Sequence, residues 1–439
     1  MKQEQALEIM KMGHNVFLTG EAGSGKTYLL EKYINYLEEN DIKVAVTAST
    51  GIAATHLDGV TIHSWSGIGV SDDLTDSEIS NLLDRNYLKQ HFKNTRVLII
   101  DEISMLTAKQ LDMIDRVCKA FKKNKLPFGG LQVILSGDFF QLPPVSRKNK
   151  KDFVFKSHIW KEMDIKICYL KGQFRNKSEE LQKILSQIRT GEVEKSSKKL
   201  LQSRLDTEPG SDDDITKLYT HNKDVDKINS KKLSKINKKE HKYKMSTDGK
   251  AKLIEMLQNN CLAKEELTLK KGALVMFIKN NFEKGYVNGT LGKIKDFKSI
   301  TEYPIVETEE GKHITVTPKE WKIKQEGEVQ AKVEQMPLKL AWALTVHKSQ
   351  GMTLDKAEID LSKCFIEGMG YVALSRVKSL DGLFLDGINK KSLKIDKQIR
   401  TVDKKLKQKS QKVVSALREK DKRKLEEIQK NFLNMSVSS

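Results

Sequence analysis

Cysteine is scarce and scattered in this chain: Cys118, Cys168, Cys261 and Cys364 form no C-x-x-C pair, so neither a zinc ribbon nor a disulfide framework is expected. They read as reduced, structural thiols. Long apolar runs are also lacking. Residues 1–13 interleave charged and apolar side chains, a pattern that suits neither a signal peptide nor a membrane anchor and leads to the expectation of a soluble, intracellular protein without membrane partners. Acidic residues fall well short of basic ones, 59 against 78, leaving a formal charge of +19. Lysine and arginine on that scale favour a polyanionic partner, because contact with phosphates releases counterions. Charge alone does not choose among DNA, RNA and acidic lipid.

What is present is richer. A chain of 439 residues, 38% hydrophobic, suits two or three domains with a substantial core. Residues 15–25 read NVFLTGEAGSG, a short apolar strand running into a glycine-rich turn, and KTYLLEKYINYLEEN follows with apolar residues at helical spacing. In that strand–loop–helix context Gly20, Gly25, Lys26 and Thr27 match G-x-x-x-x-G-K-[ST]. Such glycines let backbone N–H groups close around phosphates, the helix N-terminus adds its positive end, and Lys26 is placed to reach the β- and γ-phosphates. The hydroxyl of Thr27 is the candidate magnesium ligand, and Gly23, Ser24 and Tyr28 complete the expected ATP-binding set.

A second apolar strand, RVLIIDEIS, ends in Asp101 and Glu102. Triphosphate hydrolysis needs one carboxylate to orient magnesium and a neighbour to activate water; Asp101 suits the metal role and Glu102 that of the base. A third strand, LQVILSGDFFQLPPV, leads to Gly137, Asp138 and Gln141, and Gln141 can sense the γ-phosphate. Parallel strands whose C-terminal ends all carry polar residues describe a RecA-like, doubly wound α/β sheet.

The ordered set of motifs resembles the Pif-family helicases, superfamily 1 enzymes related to RecD and Dda. It comprises Gln3, TASTGIAA at 47–54, TIHSWSGIG at 61–69, DEIS at 101–104, GDFFQLPPV at 137–145, QFRN at 173–176, LQKILSQIRTGE at 181–192, THNKDVDKIN at 220–229, YVNGTLG at 286–292, LTVHKSQGMTLD at 344–355 and YVALSRVKSLDGL at 371–383. The resemblance implies an ATP- and magnesium-dependent DNA helicase that moves 5′ to 3′ on single-stranded DNA. Duplex, forked or G-quadruplex DNA would be unwound, in replication, repair, recombination or telomere-type maintenance. It implies that Gln3 reads the adenine edge, with Gln5 close enough to leave the register open, and that Arg175 and Arg376 are arginine fingers, a salt bridge at a domain interface being the alternative for each. Phe174 reads equally as a base-stacking or a core residue. For DNA the expected contacts are Thr50, Gly51 and His63, with His347, Lys348 and Ser349 in the second half; Trp65 is open between base stacking and core packing.

The resemblance also implies a domain plan. Residues 1–160 form a first RecA-like domain with a small wedge element near 71–93. Residues 161–265 and 336–385 form a second, and 266–335 an inserted SH3-like barrel, whose alternating apolar residues and Asn-Gly pair read as a hairpin. The tail 386–439 carries 16 Lys and Arg against 7 Asp and Glu. Its Leu406, Val413, Leu417, Leu425, Ile428 and Phe432 recur at helical spacing, so it is expected either to pack on the body or to bind DNA or a partner. The partners implied are single-stranded DNA and single-strand/duplex junctions, with the chain a monomer that DNA could pair into a dimer. No nuclease motif accompanies these features, and with nothing preceding Gln3 but two residues, a bacterial or phage cytoplasm associated with the nucleoid is the expected location.

Overall fold

The computed structural model describes residues 1–69, 73–144, 152–174, 178–205, 207–208, 215–221, 225–281, 283–286, 288–325 and 328–434. They form two compact units, the first comprising Met1–Phe174, Lys324–Glu328 and Lys397–Ser439 and the second Arg175–Ile323 and Val329–Asp396.

The first unit is built on six strands: β1 (Asn15–Gly20), β2 (Val44–Ala48), β3 (Val60–Thr61), β4 (Val97–Asp101), β5 (Gln132–Ser136) and β6 (Ile165–Leu170). They pair in the order β3-β2-β4-β5-β1-β6, every pair parallel. Residues of β4 and β5 are buried throughout, so these strands read as continuous apolar runs rather than alternating ones, as a sheet covered on both faces requires. The helices of this unit that bear on the site are α1 (Gln3–Lys11), α2 (Lys26–Glu39), α3 (Gly51–His56), α4 (Ile62–Ser66), α5 (Asp76–Leu83), α6 (Asn86–Asn94) and α7 (Ala108–Lys122). Leu29, Leu30, Tyr33 and Leu37 form the buried stripe of α2, and the Tyr33 hydroxyl meets Gln132 Oε1 of β5 at 2.7 Å. That bond satisfies two polar groups the packing would otherwise strand.

In the second unit a four-stranded parallel sheet runs Ala343–Thr345, Thr216–Tyr219, Ala357–Leu361, Leu383–Ile388. Beside it stands a five-stranded antiparallel sheet in the order His313–Thr315, Pro304–Thr308, Leu291–Phe297, Leu274–Phe277, Leu338–Leu340. Two smaller antiparallel pairings accompany it, His241–Lys244 with Glu266–Leu269 and Ser246–Gly249 with Glu328–Gln335. The chain is thus α/β, two RecA-like sheets with a small barrel inserted in the second. The Asn-Gly pair lies in a turn but does not join two strands as a two-residue hairpin. Leu274–Phe277 and Leu291–Phe297 do pair antiparallel, but across a long connection, and Gly289 (φ 97°) lies where a Cβ would come within 3.0 Å of the Thr353 backbone. The glycine is required by this close approach rather than by a two-residue hairpin.

The chain returns to the first unit through helices Lys397–Arg418 and Lys422–Asn434. The first crosses the outer edge of β6: Tyr169 N donates to Ser410 Oγ at 3.1 Å and the Tyr169 hydroxyl donates to Asp403 Oδ1 at 2.9 Å. Val413, Val414, Leu417, Leu425, Ile428 and Leu433 pack on the cluster containing Ala6, Ile9 and Met10 of α1, and Phe432 is buried there against Gly13. The apolar faces therefore pack on the body, while Lys404, Lys405, Lys409 and Lys412 remain exposed. Covering β6 in this way removes an open sheet edge. No helix among the described residues is long and apolar enough to cross a membrane.

Candidate nucleotide site

The glycine-rich turn lies between β1 and α2. Gly23 (φ 86°) and Gly25 (φ 82°) adopt left-handed backbone, which side-chain-bearing residues disfavour. At Gly20 a Cβ would come within 2.7 Å of Ser24 Oγ and 3.0 Å of the Leu170 carbonyl. The Lys26 ammonium donates to the carbonyls of Gly20 (3.0 Å) and Glu21 (3.2 Å), so it folds back over the turn. Thr27 and Tyr28 are exposed, and Ser24 is buried.

Beyond the C-terminal ends of the neighbouring strands stand the other expected groups. Asp101 is buried at the end of β4. Burial pushes its carboxyl above the usual range, opposed by the Ser136 hydroxyl, the Glu102 N–H and the charge of Lys26. A divalent cation suits this donor set: a desolvated carboxylate gains from a cationic partner, and magnesium typically takes one or two protein oxygens together with phosphates. Glu102 has left-handed backbone (φ 50°), uncommon for a non-glycine residue. Its N–H donates to Asp101 Oδ1 at 2.9 Å, and its carbonyl accepts from Ser49 Oγ at 2.8 Å. Ser49 N also donates to the Asp101 carbonyl at 3.0 Å. Ser49 thus ties the end of β2 to the carboxylate pair, a role that nothing in the motif's spacing distinguishes from that of Thr50. After β5, Asp138 accepts from Phe140 N (3.1 Å), and Gln141 N donates to the Asp138 carbonyl (3.0 Å).

Of the two N-terminal glutamines, Gln3 reaches the turn, its amide donating to the carbonyls of Ser24 (3.3 Å) and Gly25 (3.5 Å). Gln5 caps α1 instead, its Oε1 accepting from Lys2 N at 3.0 Å. Phe174 is not a core residue. It is 71% exposed, its N–H donates to the Gly23 carbonyl at 2.9 Å, and its ring lies beside Gly25. Gln3 and Phe174 therefore flank the same turn. Arg175 lies outside the described residues.

The remaining candidates divide. Thr50 caps α3, its hydroxyl accepting from Ala53 N, and Gly51 opens that helix. His63 meets Gln110 of α7 at 3.1 Å, and burial lowers its pKa. Trp65 is a core residue, 5% exposed, its ring 4.6 Å from Phe92, which stacks on Phe121 at 4.3 Å; a base cannot reach it in this packing. In the second unit Lys348 is exposed and His347 half-buried with its pKa lowered by burial. Ser349 is fully buried, its hydroxyl donating to the Val346 carbonyl at 2.9 Å, which turns it away from any phosphate. Arg376 is buried too. Its guanidinium donates to the carbonyls of Val372 (2.9 Å), Met352 (3.3 Å) and Ser349 (3.4 Å) and to Ser375 Oγ (2.8 Å).

Residues 2–204 match the family model described as PIF1-like helicase, and residues 252–297 that of the DNA helicase Pif1 2B domain. The chain is 43% identical to an ATP-dependent DNA helicase Pif1 of Psychrobacter sp., over 99% of this chain and 75% of that one. A crystal structure of Bacteroides sp. Pif1 in complex with ADP-AlF4 superposes with a TM-score of 0.80 at 32% identity, covering 93% of this chain and 97% of that one. A Bacteroides Pif1 complex with ADP-AlF3 and ssDNA gives 0.62 at 32% identity, covering 92% and 96%. With its phosphate turn, its carboxylate pair and its two parallel sheets in place, the chain belongs to the PIF1-like helicase family.

Proposed function

We propose that this chain is an ATP-driven DNA helicase that translocates 5′ to 3′ along single-stranded DNA and unwinds duplex, forked or G-quadruplex DNA, in replication, repair, recombination or telomere-type maintenance. The observation that carries the reading is the convergence, on the C-terminal edge of adjacent strands β4, β5 and β1, of Asp101–Glu102, Gln141 and the Lys26 turn. The relatives' names and the single-stranded DNA in a Bacteroides complex support DNA as the track.

In this reading the turn amides and Lys26 hold the β- and γ-phosphates, while Gln3 and Phe174 take the edge and face of the adenine. Glu102 accepts the proton of the attacking water, and Gln141 hydrogen-bonds where the γ-phosphate leaves. Thr27 and Asp101 hold magnesium, which supplies positive charge against the phosphate oxygens. Arg175 and Arg376 add charge to the transferring phosphoryl group. Thr50, Gly51, His63, His347 and Lys348 are the groups proposed to meet the strand, mostly at its backbone, where contacts carry no sequence preference. The domain plan drawn from the motifs, with its first boundary moved from residue 160 to Phe174 because β6 pairs with β1 in the first unit, a monomer that DNA could pair, and a cytoplasmic, nucleoid-associated location belong to the same proposal.

The test compares partial duplexes bearing a 5′ or a 3′ single-stranded tail, with ATP, alongside hydrolysis stimulated by ssDNA or ssRNA. Unwinding of the 5′-tailed substrate alone, with stimulation by ssDNA, is the expected result. Unwinding from the 3′ tail overturns the polarity, and stimulation by RNA alone overturns the substrate.

A further inference from the structure

Phe365 is among the few large apolar side chains left exposed, at 44%. Its ring centroid is 4.8 Å from that of His221, tilted by 45°, and His221 is itself exposed. Neither residue has a part in the nucleotide site, and both lie within the second unit. Their place in its parallel sheet is defined by register: Tyr219 pairs with Asp360 on one side and Thr345 on the other. The chain therefore leaves the same sheet edge three times, toward His221, toward Phe365 and toward His347 and Lys348. In doubly wound sheets that C-terminal edge is where ligands bind.

The loop bearing Phe365 is firmly held. Asn389 Nδ2 donates to the carbonyls of Ser362 (3.0 Å) and Cys364 (2.9 Å), Cys364 N donates to the Leu361 carbonyl (3.2 Å), and Cys364 Sγ donates to the Ile366 carbonyl (3.3 Å). The Thr220 hydroxyl lies 3.1 Å from His221 Nδ1 and fixes the imidazole. A pinned, exposed aromatic pair loses little side-chain freedom when something stacks on it.

We propose that Phe365 and His221 form a stacking platform for an unpaired nucleobase of single-stranded DNA, with the exposed ammonium of Lys348 along the same edge for the phosphate backbone. Aromatic faces beside positive charge are the combination that binds single strands without regard to sequence. A base inside a duplex has its faces covered by its neighbours, so the platform selects the single strand. The inference rests on the DNA reading above.

The test is equilibrium binding of the full chain to a labelled oligothymidine, with Phe365→Ala, Phe365→Leu and Phe365→Trp compared with the unaltered chain on intact strands and on strands carrying one abasic site at successive positions. Loss of one stacked base is expected to weaken binding roughly five- to a hundred-fold in the Ala and Leu variants, with Trp restoring it. One abasic position should weaken the unaltered chain and leave Phe365→Ala no weaker than on the intact strand. If Leu binds as tightly as Phe, or Phe365→Ala shows the same abasic profile as the unaltered chain, the platform is overturned. If the unaltered chain does not bind the oligonucleotide at all, the DNA reading itself falls.

Discussion

Glu102 holds a backbone conformation that costs a non-glycine residue on the order of 1 kcal/mol or more, and hydrogen bonds on both sides of its peptide units keep it there. The strain lies where a carboxylate must be aimed, one residue beyond the end of β4. Glu102→Gln keeps the shape, the strain and the phosphate turn and removes the proton acceptor. It is expected to bind ATP within a few-fold of the unaltered chain and to hydrolyse it roughly 10²- to 10⁴-fold more slowly, measured by nucleotide titration beside steady-state hydrolysis. Near-normal turnover would remove Glu102 from the role of base. The placing of Lys26, Asp101 and Glu102 at a turn and a strand end was legible in the sequence because residue type at a fixed distance from an apolar run marks it. The placing of Trp65 and Ser349 was not. Trp65 packs on Phe92, itself stacked on Phe121, and both arrive on later helices, while Ser349 is turned inward by a hydrogen bond to a carbonyl three residues before it; neither contact is marked in the local pattern. Ser49 shows the converse, a tie to the backbone of Glu102 made by a side chain with no signature of its own.

At the scale of elements, the inserted barrel meets the loop that follows the His347–Ser349 segment at two places. Gly289 lies against Thr353, and Glu309, on the turn between Pro304–Thr308 and His313–Thr315, lies against Asp355. Although Glu309 is exposed as a residue, desolvation of its carboxyl and then its contact with Asp355 push it up to about 7, against the pull of Lys356 and Lys378, while Asp355 also pairs with Lys378 at 2.5 Å. Beside them Glu310 is held low chiefly by Lys312. Between the ordinary carboxylate range and about 7 the folded unit keeps the Glu309 proton and the unfolded chain does not. The contact therefore contributes most below that window and is lost as pH rises through it. The second unit is expected to be more resistant to urea at pH 5 relative to pH 8 than its Glu309→Gln variant is. An unchanged difference in that variant would place the dependence elsewhere. Nothing in the sequence brings residues 309 and 355 together: the Asn-Gly pair suggested a tight hairpin, whereas its glycine serves the approach to Thr353.

For the whole molecule, the α/β class was readable from short apolar runs ending in polar residues, and the amphipathic character of the C-terminal helices from their periodicity. The surface those helices cover was not readable, because periodicity gives a face and not its partner. That surface is β6 and α1, the elements that lead to Phe174 and carry Gln3. Phe432→Ala is expected to destabilise the first unit by about 3–5 kcal/mol, seen as faster hydrogen exchange in α1 with the second unit's sheet unchanged; equal loosening of both units would contradict local packing. The first unit is thus closed by residues that follow roughly 220 others belonging to the second. At ribosomal speeds the interval lasts on the order of ten to forty seconds, during which β6 presents an open edge and α1 a bare apolar face. The ATPase half, begun first, is finished last.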